Sequence, residues 1–157
     1  MTRLWTNFAV LVLLMNESKL EKYLDENGEL TYSNVGVSML PLLRQGKDLF
    51  TVRKKNAERC KKYDVVLYRR PPDKHVLHRV IQVRENDYVI LGDNCIKKEY
   101  GITDGDIIGV MTGYVRNGKT HSVDDFGFKL YSRVWCAIAP VRIGLKKLKI
   151  KVRKLLR

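Results

Sequence analysis

Apolar and polar residues change rhythm along this chain. Residues 17–26 carry Leu20, Tyr23 and Leu24 at helical spacing and stop at Asn27-Gly28, which predicts a short amphipathic helix. From Leu30 the period shortens to two. Leu30–Val37, Asp48–Arg53, Tyr63–Tyr68, His75–Val83, Tyr88–Leu91 and Ile107–Val115 read as strands. Turn chemistry punctuates them: Gln45-Gly46-Lys47, Arg69-Arg70-Pro71-Pro72-Asp73, Glu85-Asn86-Asp87, Gly92-Asp93-Asn94 and the hairpin signal Asn117-Gly118. Short strands joined by turns, with helices only at the ends, predict a mainly β fold. The expected form is a curled antiparallel sheet or partly open barrel. Phe126–Arg157 reads as helical again, interrupted at Pro140. The organisation expected is an apolar segment and helix over 1–29, a β domain over 30–120 and a helical basic tail over 121–157.

The first 15 residues hold an apolar run, Phe8–Met15. Counted from Leu4 it is 12 residues long, about 18 Å as a helix against a hydrocarbon core of about 30 Å, too short to cross a bilayer. It fits a signal-peptide-like core without a small-residue cleavage site, a helix packed on the body, or one lying in a membrane interface. Met15 is also a plausible start, with residues 1–14 an extension.

Charge sharpens the picture at one end. The net charge is +13, but Pro140–Arg157 carries eight basic residues and no acidic one. In that stretch Ile143, Leu145, Leu148, Ile150, Val152, Leu155 and Leu156 alternate with lysine and arginine, the pattern of a basic helix on an anionic membrane surface. A basic helix packed on the body and a tail binding nucleic acid are the other readings. Nucleic acid is disfavoured as a partner, because the body without the tail has an ordinary charge balance. The expected location is therefore membrane-associated, peripheral or interfacial, without a full transmembrane helix. Cys60, Cys95 and Cys136 lack disulfide-framework or zinc spacing, His75, His78 and His121 form no metal motif, and no cofactor is expected.

Candidate chemistry centres on Val35-Gly36-Val37-Ser38-Met39-Leu40-Pro41. Ser38 follows a flexible glycine, and Pro41 is placed to start a short helix. A serine at such a junction suits a nucleophile beside an oxyanion hole made by its own N–H and the Gly36 region; it also suits a helix N-cap. His78 is the candidate general base, with Lys74 on the same strand face as a second choice. Asp93, Glu99, Asp104 and Asp106 lie downstream as carboxylates to orient an imidazole; Asp93 also suits a simple turn.

These residues carry a resemblance. Gly36-Val37-Ser38-Met39-Leu40-Pro41 resembles the G-x-S-M-x-P box of the type I signal peptidase family. Val76–Ile81 is similar to the strand with the family's second catalytic residue, Gly92-Asp93-Asn94 to its G-D-N box, and Thr103–Gly109 to the segment that closes its core. The resemblance covers roughly Val35–Val115. It implies a serine endopeptidase on a curled β-sheet, with Ser38 as nucleophile. Where bacterial members have lysine, this chain has His78, as in the archaeal and endoplasmic-reticulum type. Asp93 matches the aspartate of the G-D-N box. Glu99 falls where that type has a second helper aspartate, and Asp106 is a further possible helper. The implied substrate is a signal or leader peptide or preprotein. Two alternatives stand beside it. A LexA-type self-cleaving repressor needs a DNA-binding module, and only about 29 residues precede the sheet. A non-catalytic membrane- or nucleic-acid-binding module would make the tail the working part.

Overall fold

The computed structural model describes residues 17–72 and 74–156. The apolar run Phe8–Met15 lies outside the described residues. Helix α1 (Glu17–Asn27) is followed by β1 (Glu29–Ser33), β2 (Leu49–Lys54), β3 (Val65–Arg70), β4 (Lys74–Val83), β5 (Tyr88–Leu91), β6 (Glu99–Ile102), β7 (Ile107–Arg116) and β8 (Lys119–Ser122). Helices α2 (Phe126–Ala137) and α3 (Ala139–Leu155) complete the chain.

The eight strands form one antiparallel sheet in the order β1-β2-β7-β3-β4-β5-β6, with β8 on β7. The sheet does not close into a barrel. Register shifts at Thr51/Val52, Leu67/Tyr68, Val80/Gln82 and Tyr88/Ile90 mark bulges, the devices that bend a strand and let a sheet curl. Asn117 (φ 51°) and Gly118 (φ 76°) both take the left-handed region, as a two-residue hairpin turn into β8 requires.

The alternation in β3 and β4 feeds two apolar clusters. Leu20, Leu24, Leu30, Met39, Leu42, Leu43, Phe50, Val52, Val65, Leu67, Leu77, Met111 and Phe128 make the first. Cys60, Val66, Tyr68, Val80, Tyr88, Ile90 and Ile107 make the second. Adjacent residues such as Val66 and Leu67 thus serve opposite faces, as the strand period demands. In the middle of β4, Leu77, His78, Arg79 and Val80 are all buried, so this strand is covered on both sides.

Two expectations are corrected. Pro41 does not open a helix: residues 36–43 form bends and turns, with hydrogen bonds from Leu40 N to Val37 O (3.3 Å) and Leu43 N to Met39 O (2.9 Å). The first strand also ends at Ser33 rather than Val37, which frees Asn34–Val37 to lead into the serine turn. The helical tail is two helices that meet at Ile138–Ala139, one residue before Pro140.

Candidate active site

Ser38 is half-buried in the turn that links β1 to β2. Gly36 has φ 88°, a conformation open mainly to glycine. The loop is held from below by Asp48, a fully buried carboxylate. It accepts from Arg44 N (2.8 Å), Arg44 Nη2 (2.7 Å) and Arg116 Nη2 (3.0 Å). Burial alone would raise the Asp48 pKa, but these donors bring it down to about 2. Asn34 closes the loop by donating to Gly36 O at 3.1 Å. Among the described residues the Ser38 N–H has no hydrogen-bond partner, so it remains available to an incoming oxygen.

His78 sits on β4 and is 3% exposed. Its Nδ1 lies 3.1 Å from Glu99 Oε1 and 3.2 Å from Tyr68 Oη. Arg70 Nε donates to Glu99 Oε2 at 2.9 Å, Arg70 Nη2 to Glu99 Oε1, and Arg70 Nη2 to the Tyr68 hydroxyl at 3.3 Å. Glu99 is thereby kept below the ordinary glutamate range despite its burial. An ionised Glu99 accepts from Nδ1–H, which fixes the tautomer with an unprotonated Nε2. Burial, with Arg70 adding repulsion, lowers the His78 pKa against the pull of Glu99, so the imidazole is neutral at pH 7.

The turn Gly92–Cys95 connects these parts. Asn94 N donates to Ser38 O (2.7 Å) and Asn94 Nδ2 to Val37 O (2.9 Å), which ties the serine loop to the turn. Cys95 Sγ lies 3.9 Å from His78 Nε2. Gly92 is crowded: a Cβ there would stand 2.7 Å from both Cys95 Sγ and His78 Nε2, so the histidine and cysteine pack over a position without a side chain. Ser38, His78, Asn94, Cys95, Glu99, Arg70 and Lys146 line one open cavity of about 720 Å³. No hydrogen bond joins Ser38 Oγ to His78 among the described residues.

The candidate carboxylates separate cleanly. Glu99 is on His78. Asp93, expected as a helper, is instead occupied by Arg79, which donates Nε to Oδ1 and Nη2 to Oδ2, both at 2.8 Å; Tyr131 Oη adds a bond at 2.9 Å. Asp106 accepts from Thr103 N (2.8 Å) and Thr103 Oγ1 (2.7 Å) at the start of β7. Asp104 accepts from Tyr88 Oη at 2.7 Å. None of these three lines the cavity, and Lys74 is exposed at the beginning of β4, also outside it.

Several contributors have no signal in the sequence boxes: Arg70, Cys95 and Lys146 reach the cavity from β3, the 92–95 turn and α3, and the buried Tyr68 reaches His78 Nδ1 from β3. Lys146 Nζ donates to Asn94 Oδ1 (2.8 Å) and to Asn94 O; Arg142 Nη1 donates to Asp93 O at 2.7 Å while its guanidinium stacks 4.0 Å from the Trp135 ring centroid. The period of β3 carries a signal for two of them, since Tyr68 and Arg70 share a strand face with Val66, which pairs with His78. Among the described residues no group of three or more His, Cys, Asp and Glu side chains is arranged to hold a metal ion. No family model, no characterised protein and no solved structure matches the chain.

Proposed function

We propose that the protein is a serine endopeptidase of the signal-peptidase type, with Ser38 as nucleophile, His78 as general base and Glu99 as the residue that orients the base. The observation that carries this reading is His78: its Nδ1 is held by Glu99, its Nε2 lies beside Cys95, and His78, Cys95 and Ser38 line the same cavity. The reaction begins when substrate binding brings Ser38 Oγ to His78 Nε2; such bonds commonly tighten only in the substrate complex. Ser38 passes its proton to Nε2 and attacks the peptide carbonyl. The Ser38 N–H faces the developing oxyanion. The imidazolium then protonates the leaving amine, and water activated by the same nitrogen hydrolyses the acyl-enzyme. By analogy with the resembled family, the substrate is a signal or leader peptide with small residues at the cut.

The test is covalent labelling of the full chain by a fluorophosphonate, read by intact mass. Wild type takes one label, and Ser38→Ala takes none. The labelling rate falls with acidity as His78 gains a proton, and because its pKa is lowered the midpoint lies below 6.5. A rate that still climbs between about pH 8 and 10 assigns the base to a lysine instead.

The membrane reading has its own support. No described helix is long and apolar enough to cross a membrane. Phe126, Leu130, Val134, Ile138, Val141, Leu145, Leu148, Val152 and Leu155 are all exposed and recur every three or four residues along α2 and α3. They give each helix an exposed apolar stripe, and residues 126–157 contain ten basic residues and no acidic one. Apolar stripe and positive charge together match an anionic lipid surface. Leu145 adjoins Lys146, which lines the cavity, so such docking would set the site at the bilayer. Co-sedimentation with phosphatidylcholine vesicles containing about 30% phosphatidylglycerol is expected, and Leu145→Glu with Leu148→Glu lowers it at least about tenfold. Unchanged sedimentation of that double variant removes the stripe from membrane binding, and tight binding to duplex DNA without vesicle binding supports the nucleic-acid alternative.

A further inference from the structure

We propose that Cys95 is a covalent modification site for small anionic disulfides, and that capping it shuts the Ser38–His78 site. The inference rests on the peptidase reading for its consequence, but not for its chemistry.

Cys95, His78 and Glu99 form a second nucleophile–base–carboxylate series around the same imidazole. Cys95 Sγ is 3.9 Å from His78 Nε2, and Glu99 Oε1 is 3.1 Å from Nδ1. The nitrogen that would take the Ser38 proton therefore faces a thiol as well. Neither group can withdraw toward the turn, because both pack against Gly92 where even a methyl group would collide. Cys95 is half-buried and lines the open cavity, which has room for a small ligand. The cavity also selects for charge: among the described residues, Arg70, Lys97 and Lys146 line it with one carboxylate, Glu99, that Arg70 already pairs. A disulfide bearing carboxylates, such as glutathione disulfide, fits that field.

Burial raises the Cys95 thiol pKa and lowers that of His78, so the pair rests as neutral thiol and neutral imidazole. Exchange therefore needs His78 as base. The thiol proton goes to Nε2 and the sulfur attacks one sulfur of the disulfide. A new S–S bond forms on Cys95, the old S–S bond breaks, and the departing thiolate takes the proton back from the imidazolium. Cys95 is oxidised and one half of the disulfide is reduced to a thiol. The cap then stands between Nε2 and the cavity, where the substrate-bound Ser38 hydroxyl must approach. Cys60 and Cys136 are internal references: Cys60 is 5% exposed, burial pushes its thiol up to about 11, and neither cysteine lines the cavity.

The experiment treats the full chain with glutathione disulfide and maps the adducts by peptide mass, then labels Ser38 with a fluorophosphonate. Cys95 is expected to be capped at least about tenfold faster than Cys60 or Cys136. His78→Gln, checked for folding by its melting transition, slows the capping of Cys95 about tenfold. Capped wild type loses at least about nine-tenths of its Ser38 labelling rate and regains it with dithiothreitol, while Cys95→Ala labels at the same rate before and after the disulfide. Equal capping of the three cysteines, capping indifferent to His78, or capped protein that labels at the full rate overturns the proposal. If uncapped wild type takes no Ser38 label, the peptidase reading fails by itself, and the ratio of capping rates between wild type and His78→Gln still decides the Cys95 site.

Discussion

Arg79→Met lowers the unfolding free energy by about 3–5 kcal/mol, the expected cost of leaving a buried carboxylate without its cation. Arg79 is fully buried and Asp93 is 2% exposed. The guanidinium makes both bonds of a bidentate pair with Asp93 and donates to Ser132 Oγ (2.7 Å) and Tyr63 O (3.0 Å). It also lies 5.5 Å from the Phe128 ring centroid. Methionine restores much of the volume and none of these donors, so among the described residues Asp93 keeps only the Tyr131 hydroxyl as a side-chain donor. The loss is transmitted along the chain, because the same turn carries Gly92 under His78, Asn94 on Ser38 and the Asp93 backbone oxygen that accepts from both Trp135 and Arg142. Urea unfolding of wild type and Arg79→Met reads the difference. A change below about 1 kcal/mol would mean that water reaches Asp93 once the guanidinium is gone, and that the pair does not hold the turn.

That pair explains what the sequence could and could not tell. The strand pattern was readable because alternation and turn residues act locally; Tyr88–Leu91 emerges with the expected bounds. Strand β6 (Glu99–Ile102) was not, since it is short, has no buried residue and is interrupted by Gly101 in the left-handed region. Ser38 and His78 were legible because one lies in a distinctive turn and the other on a strand of fixed period, and both come to one cavity. The carboxylate was not legible. His78 and Arg79 are neighbours on β4 and point to opposite faces of the sheet. Asp93 reaches the Arg79 face, whereas Glu99, at the start of β6, reaches the His78 face. Sequence spacing gives both residues nearly equal access, and only the fold of the 92–99 segment separates them. Arg142 and Lys146 were read as part of a basic tail, because charge count does not reveal that two of those cations fold back onto the turn at Asp93 and Asn94.

Glu99→Gln gives the sharpest division between the two carboxylates. The variant is expected to fold, since Glu99 is a half-buried residue at the beginning of a short strand, and to label at Ser38 about 10²–10⁴-fold more slowly than wild type. The reason is tautomeric. Glutamate can only accept, so Nδ1 must carry the hydrogen and Nε2 must present its lone pair. Glutamine offers an NH2 at the same distance, and a donor facing Nδ1 favours the opposite tautomer, with the hydrogen on Nε2 and no acceptor for the serine proton. The carboxylate charge that steadies the imidazolium during proton transfer is lost as well. Glu99→Asp tests the geometry separately, because it keeps an acceptor but shortens the reach; partial labelling is expected from it, between glutamine and wild type. The pH profile adds a signature that a merely structural role would not produce. Without the anion that favours the charged imidazole, the His78 pKa falls further, and the acid limb of whatever rate remains in Glu99→Gln moves to lower pH. A Glu99→Gln protein that labels at the wild-type rate would return the orienting role to another group, and the first to be tried would be Tyr68, whose hydroxyl already stands 3.2 Å from Nδ1.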